Sequence, residues 1–442
     1  MIRVRLSNMS RILSLLFILV GTSAWADQIH EVGNFAEWDR PKEVLMHTPG
    51  KELFLGVVHP DAALFARAFD IKRATQEHRN YIKLLESRGV KVHTVVETLL
   101  EGTIDKGGRP IPGHALDQLR EFARTFIRID TTRLGEESRA SQEDYLNNKV
   151  INVLHPRELV DIILNQPTIH LIPTDSSTHF AATYELSPMM NLYFLRDQLI
   201  TTAKGVVIGR MNSPQREVET QIIEFVIRKL GIDPLYQVAG EGRLEGGDFL
   251  PAGDTVFQGQ GLRTNSEAIK QLLEHQVYGA KRVVVVKEPW HNQDQMHLDT
   301  YFNIISPQLA VLVKERWRGK DEHGRIVKPE EKKHLSIDVY ELGATGYELK
   351  VRDADFQDYL ERVLQFQLIP VANIDQLKYG INFLTVGPRQ ILGVDGVSNA
   401  YKHALANKGV HVTWIDFGNL TGGYGAAHCL TQVLHRVPVK PR

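Results

Sequence analysis

A single cysteine, Cys429, stands in this chain of 442 residues, within the stretch GGYGAAHCLTQ at positions 422–432. The thiolate is the nucleophilic form of that side chain, and neighbouring charge controls its formation. Taken alone, a lone cysteine reads as a small buried residue, because free Cys is among the most buried types. Three distant stretches change that reading, each setting charge into an otherwise apolar context. NLYFLRDQ at 191–198 carries Asp197, and EGRLEGGDFL at 241–250 carries Glu245 and Asp248. The two glycines between those acids permit unusual backbone angles and close approach. MHLDTYFNII at 296–305 carries His297 and Asp299, which alternate about Leu298 and on a strand would share one face. Singly, each has a plainer reading: an ion pair of Asp197 with Arg196 or Arg210, a turn at EGGD, an edge-strand histidine at HLD.

Together these residues make a chemical set. Cys429 supplies a nucleophile, and a histidine near neutral pKa moves protons to and from a leaving group. A carboxylate such as Glu245 orients that histidine and stabilises its cation, as the third member of a triad does. Asp197 and Asp299 match the planar fork of a guanidinium through bidentate hydrogen bonds. The substrate so implied is a cationic guanidine with an electrophilic central carbon.

The elements that must position these groups alternate between strand and helix. PKEVLMHTPG at 41–50 reads as a strand closed by a Pro-Gly turn, and Ile71, Ala74, His78, Ile82 and Leu85 recur at helical spacing. Gly89 stands where a helix C-cap belongs, and VKVHTVV after it alternates as a strand. From Leu186 onward the pattern repeats: QLITTAKGVVIGRM as two strands about a Lys-Gly turn, REVETQIIEFVIRKLG as a helix, AIKQLLEHQVYGAKRVVVVKEP as helix then buried strand, and NAYKHALANKGVHVTWIDF as helix then strand. Recurrent strand–strand–helix–strand units predict an α/β protein with internal structural repetition. Residues 104–180 differ. Rich in helix formers and charge, with no clear strand, they read as an inserted helical domain that divides a catalytic α/β domain into 27–103 and 181–442.

Hydrophobic residues make up 43% and charged residues 24% of the chain, values ordinary for a soluble globular protein with a sizeable core. The formal net charge is −1 without a long basic stretch, which argues against a nucleic-acid partner. Arg3, Arg5 and Arg11, the apolar ILSLLFILV and the small-x-small AWA at 24–26 form a tripartite export signal over residues 1–26. Its apolar run is shorter than the ~20 residues of a membrane span, so no membrane association is expected after cleavage, and the mature chain is expected in the periplasm or medium. In such a compartment a lone cysteine cannot form an intramolecular bridge.

The motifs in their order resemble the arginine deiminase family of guanidino-modifying enzymes. The residues that carry the resemblance are EVLMHTPGKEL, NLYFLRD, REVET, LEGGDFL, GLRT, HLDT, NFLTVGP and HCLTQ. It implies the pentein fold, an α/β propeller of five ββαβ-like modules, with a helical insertion after the first. It also implies roles: Cys429 as the nucleophile, His297 as the acid–base residue, Glu245 as its partner, and Asp197 and Asp299 as guanidinium ligands. Asp248 joins the substrate-binding set. Arg216 in REVET and Arg263 in GLRT stand where the family binds a substrate α-carboxylate, and Asn191 near the same end. These three favour free arginine over agmatine. No metal or organic cofactor is implied. The chain departs from the family pattern at the nucleophile, with Tyr424 where an Arg is expected and Ala426 where a Gly is expected. Amidino transfer from arginine, hydrolysis of a modified arginine or another guanidine, and a non-catalytic guanidine-binding protein remain the competing readings. Self-association is compatible with all of them.

Overall fold

In a computed structural model, which describes residues 31–177, 179–316 and 334–439, five small sheets share one topology. In each, two antiparallel strands are followed by a helix or helical turn and a third strand that pairs in parallel. The second module is the plainest case. Leu199–Thr202 and Gly205–Ile208 pair across the two-residue turn at 203–204, and helix Glu219–Lys229 leads to Tyr236–Gln237 beside Gly205–Ile208. The third comprises Phe249–Ala252, Thr255–Gln260 and Arg282–Lys287 around helix Ser266–Glu274. The fourth comprises Phe302–Ser306, Leu309–Val313 and Gln367–Val371. The fifth comprises Leu384–Gly387, Gln390–Val394 and His411–Ile415 around helix Asn399–Asn407.

The first module is completed by the two ends of the chain. Arg40–Met46 pairs in parallel with Lys91–Thr94, reached through helix Ile71–Ser87, and antiparallel with Gln432–Val437. Strand Gln432–Val437 also packs on Leu199–Thr202, Phe249–Ala252 on Phe302–Ser306, Phe302–Ser306 on Leu384–Gly387, and Leu384–Gly387 on Arg40–Met46. The second and third modules share a buried core of Ile200, Val207, Phe249 and Val256, so the modules follow one another around a ring, as the five-module expectation requires. Hairpin Ser336–Leu342 and Tyr347–Asp355, within the fourth module's crossover, extends the third module's sheet through Arg282–Lys287.

The local signals act as the sequence suggests. Asp70 accepts a hydrogen bond from the Arg73 amide to start helix Ile71–Ser87, and Gly89 follows that helix at φ +76°. The buried face of that helix is Ala74, His78, Tyr81 and Leu85. Arg282–Lys287 lies between two partner strands and buries its four consecutive valines.

Two expectations need correction. Residues 104–180 are not purely helical. Helices His114–Arg124, Glu136–Tyr145 and Pro156–Asn165 accompany a three-stranded sheet of Arg128–Asp130, Pro167–Pro173 and Phe180–Leu186. That sheet is mostly half-buried or exposed, so its strands need no alternation of apolar and polar residues, and alternation is the signal a strand otherwise leaves. His297 and Asp299 also do not lie on a strand. His297 is extended and caps the short 3₁₀ turn Leu298–Thr300, within which Asp299 sits. Residues 1–26, read above as an export signal, lie outside the described residues.

The ring is tied at its seam by a buried charge network. Glu37 accepts from Arg196 at 2.8 Å and from Arg436 at 2.7 Å, joining the N-terminal segment, the loop before the second module and the last strand. The two guanidiniums hold the Glu37 carboxyl well below its usual range against the opposing effect of burial. Glu37→Ala would leave two buried cations without their counter-charge. It is expected to destabilise the protein by about 3–5 kcal/mol, read from the midpoint of urea unfolding.

Candidate active site

The polar motifs occupy equivalent places in the ring. Asp197 precedes strand Leu199–Thr202; Glu245 and Asp248 precede Phe249–Ala252; His297 and Asp299 precede Phe302–Ser306; Cys429 precedes Gln432–Val437. The segment before the first strand of a module thus supplies chemistry each time. The fifth module contributes at the same place through Asn382, just before Leu384–Gly387. Its side chain touches the lone cysteine: Asn382 Nδ2 lies 3.1 Å from Cys429 Sγ. Sequence reading passed over Asn382 although NFLTVGP was noted, because an amide in an apolar run carries no chemical signature of its own. Its register, shared with Asp197 and His297, is the signal that would have found it.

A narrow cleft with about 10 Å³ of open space, room for about one water, lies at this centre. Asp197, His297, Cys429, Arg216, Arg263 and Asn191 all line it. Glu245, Asp248 and Asp299 stand behind that lining. His297 Nε2 is 2.8 Å from Glu245 Oε2, with both side chains buried. His297 Nδ1 faces Asp197 Oδ1 at 3.8 Å. Asp248 Oδ1 accepts the Leu298 amide at 2.9 Å, so it fixes the histidine's turn rather than facing the cavity. Asp299 Oδ2 lies 3.6 Å from Cys429 Sγ and 2.7 Å from His428 Nδ1.

The glycines of LEGGDFL serve close approach only. Neither has positive φ. A Cβ on Gly246 would stand 2.0 Å from the Arg196 carbonyl oxygen, and one on Gly247 would stand 2.6 Å from His297 Nδ1. Only a hydrogen fits between the acid-bearing turn and the two neighbouring motifs.

These motifs can now be set against known proteins. The family model for arginine deiminase matches residues 61–436. The chain belongs to the arginine deiminase family. It is therefore a hydrolase of guanidino C–N bonds. Arginine deiminase from Halobacterium salinarum is 27% identical over 93% of this chain and 98% of its own length. That from Metamycoplasma arthritidis is 27% identical over 92% and 97% respectively. Among solved structures, the amidinotransferase SxtG from Microseira wollei superposes with a TM-score of 0.50 at 13% identity, covering 93% of this chain and 99% of its own. The N-terminal domain of ArgZ, an arginine dihydrolase from cyanobacteria, does so with a TM-score of 0.50 at 13% identity, over 89% and 97%. This likeness establishes the pentein fold.

In this family member the site residues differ in what they leave available. Asp197 Oδ2 accepts from Arg216 at 2.9 Å, whereas its buried Oδ1 has no hydrogen-bond partner. Asp299 likewise keeps one unpartnered oxygen, Oδ1. Each acid therefore has a single oxygen to spare, not the bidentate pair expected. Arg216 is held by Glu219 at 2.9 Å as well as by Asp197, and lies 3.8 Å from Glu245. Arg263 donates to Ser213 Oγ at 2.7 Å and to Gln293 Oε1 at 3.1 Å, while its Nε has no partner. Asn191 Nδ2 donates to the Ala63 carbonyl, so the group it can offer a ligand is an acceptor oxygen.

Charge decides the protonation states. Burial pulls the His297 pKa down, but Asp197 and the hydrogen bond to Glu245 outweigh it and lift it to about 9. Burial likewise opposes ionisation of Glu245, yet the His297 bond and the Arg263 charge bring it to about 2. Burial raises Asp248 to about 6. Cys429 is pushed well up, by burial and then by Asp299 and Asp197. Near pH 7 these groups are therefore an imidazolium and a neutral thiol.

A histidine with a raised folded-state pKa contributes stability that is complete below its unfolded value, near 6.5, and lost as pH climbs through about 9. The contribution is on the order of 3 kcal/mol. Denaturation midpoints of the wild type and of His297→Gln, compared from pH 6 to 9.5, should converge as pH rises. A constant gap would show that His297 is not cationic in the folded site.

Proposed function

We propose that this hydrolase converts free L-arginine to L-citrulline and ammonia through a covalent intermediate on Cys429. The observation that carries the reading is the cavity itself, where a thiol, an imidazole and an acidic oxygen without a partner meet at one end, and Arg263 with its bare Nε stands in the same lining. The acidic end complements the charge of a guanidinium, and the basic end that of an α-carboxylate. The acceptor oxygen of Asn191 suits the α-ammonium group.

Asp197 and Asp299 hold the guanidinium, each through one oxygen, and so fix its carbon near the sulfur. The substrate's positive charge offsets the two acids that oppose thiol ionisation, so Cys429 releases its proton to solvent and becomes nucleophilic when the guanidinium binds; that proton is recovered when the departing ammonia becomes ammonium. Sulfur attacks the guanidinium carbon and gives a tetrahedral adduct. His297 donates its proton to the departing nitrogen, and ammonia leaves. The imidazole, now neutral, accepts a proton from water as the oxygen adds to the amidino carbon. Collapse breaks the C–S bond and releases citrulline and the thiol. Glu245 keeps the imidazolium oriented throughout. Arg216 holds Asp197 in place through its Nη1 bond and, with Arg263, adds positive charge at the carboxylate end.

Incubation of the mature protein with arginine should yield citrulline and equimolar ammonia. Ornithine formed only in the presence of an added amine would replace hydrolysis by amidino transfer. Cys429→Ala should abolish turnover, and Arg263→Ala should impair arginine far more than agmatine. Equal losses on both substrates would remove the carboxylate role. We propose in addition that the leader at 1–26 exports the protein, which predicts mature enzyme beginning near Asp27 in the periplasmic or secreted fraction, as read by N-terminal sequencing.

A further inference from the structure

The side chain of Asn382 is buried inside the turn that carries the nucleophile. Its Oδ1 accepts two backbone amides of that turn, Ala426 at 2.9 Å and Cys429 at 3.2 Å. Its backbone carbonyl accepts a third, from His428 at 3.2 Å. Two amide N–H groups can only donate, so the oxygen of the Asn382 carboxamide must face them, and the orientation of the group admits no flip. The NH₂ end is then forced toward the sulfur, where Nδ2 stands 3.1 Å from Cys429 Sγ and 3.3 Å from the Asp299 carbonyl oxygen.

That arrangement sorts the two sides of the sulfur. On one side the sulfur faces a donor and must accept. On the other it faces Asp299 Oδ2 at 3.6 Å, the acceptor toward which a thiol proton points. A thiolate keeps the first contact and loses the second. The Asn382 donor is thus the contact that strengthens when the proton leaves, because a hydrogen bond to an ion is stronger than one to a neutral atom. Cys429 itself is surrounded by negative charge, with Asp299 beside it and Asp197 across the cavity. Among the described residues no lysine, arginine or histidine is within hydrogen-bonding distance of the sulfur.

We propose that Asn382 is a catalytic residue of this enzyme, the fixed donor that stabilises the Cys429 thiolate while its carboxamide oxygen holds the nucleophile turn in register. The inference rests on Cys429 being the nucleophile. It adds a fifth member to the set of pre-strand residues, so that every module of the ring reaches the reacting centre.

The test is the pH dependence of Cys429 alkylation by iodoacetamide in the full, substrate-free chain, followed by mass spectrometry. Asn382→Asp keeps the shape and the acceptor oxygen but replaces the donor with a charge that repels the thiolate. Its alkylation midpoint should move upward by about 1–2 pH units, the size of a hydrogen bond to a charged group. Asp299→Asn removes an opposing charge and should move the midpoint downward, which shows that the profile reads the thiol. With arginine, Asn382→Asp should lose kcat while KM changes little. Should Asn382→Asp fail to fold, Asn382→Ser is measured in the same way and the same upward shift is expected. An unchanged midpoint in the folded variant overturns the proposal and leaves Asn382 a structural clasp. Because the alkylation readout needs no substrate, failure of the wild type to turn over arginine would overturn the proposed function and leave the alkylation result standing, and an unchanged midpoint would overturn this inference and leave the turnover result standing.

Discussion

The contact between His297 Nε2 and Glu245 Oε2 is the interaction on which the rest of the centre depends. Both side chains are buried, and a buried carboxylate without a partner would take up a proton. Pairing keeps Glu245 ionised and His297 protonated at neutral pH. That state is the one the proposed mechanism asks of a proton donor. The pair forms only because Gly246 and Gly247 let the acid-bearing turn approach the Asp197 and His297 motifs closer than a Cβ would allow. Backbone packing and catalytic protonation are thus one constraint.

From that pair the charges alternate outward. His297 faces Asp197, Asp197 pairs with Arg216, Arg216 with Glu219, and Glu219 accepts from Gln198. A second chain runs from Asp299 through His428 toward Glu37, Arg196 and Arg436. Neither could be buried piecemeal, since removing one member leaves an uncompensated ion in a low-dielectric interior. The cost of burying so many charges is offset by their mutual attraction, and Asp197 Oδ1, Asp299 Oδ1 and Arg263 Nε are left without a hydrogen-bond partner.

Cys429 is placed by a different device. Residues 66–81 grip the loop before Cys429: the Ala66 amide donates to the Gly422 carbonyl at 2.7 Å, Glu77 accepts from the Asn419 and Leu420 amides, and Tyr81 donates to the Ala427 carbonyl. Phe69 lies where a Cβ on Gly422 would be. Tyr424, in place of the arginine expected from the family, takes a left-handed backbone at φ +70°, and Leu64 takes one at +63°. Both line the cavity, so its mouth is built from residues in conformations that a non-glycine residue adopts only when its surroundings hold it there.

The sequence by itself determined the types of group and the repeating unit. A lone Cys, an HLD, an EGGD and an RD in apolar surroundings define a guanidine-directed chemistry, and helix periodicity with terminal caps marks the helix of four modules, because both depend on short-range spacing. Only the tertiary structure decided the rest. Closure of the ring through strands 40–46 and 432–437, nearly 400 residues apart, has no local signal. The sheet within residues 104–180 escaped because its exposed faces impose no alternation. Glu245, Asp248 and Asp299 proved to stand behind the cavity lining, and Asp197 and Asp299 each proved to have one oxygen already engaged, since partners from elsewhere in the chain decide which valences are spent. Asn382 became visible for the same reason. Its amide gains chemical meaning only from the sulfur that folding brings within 3.1 Å.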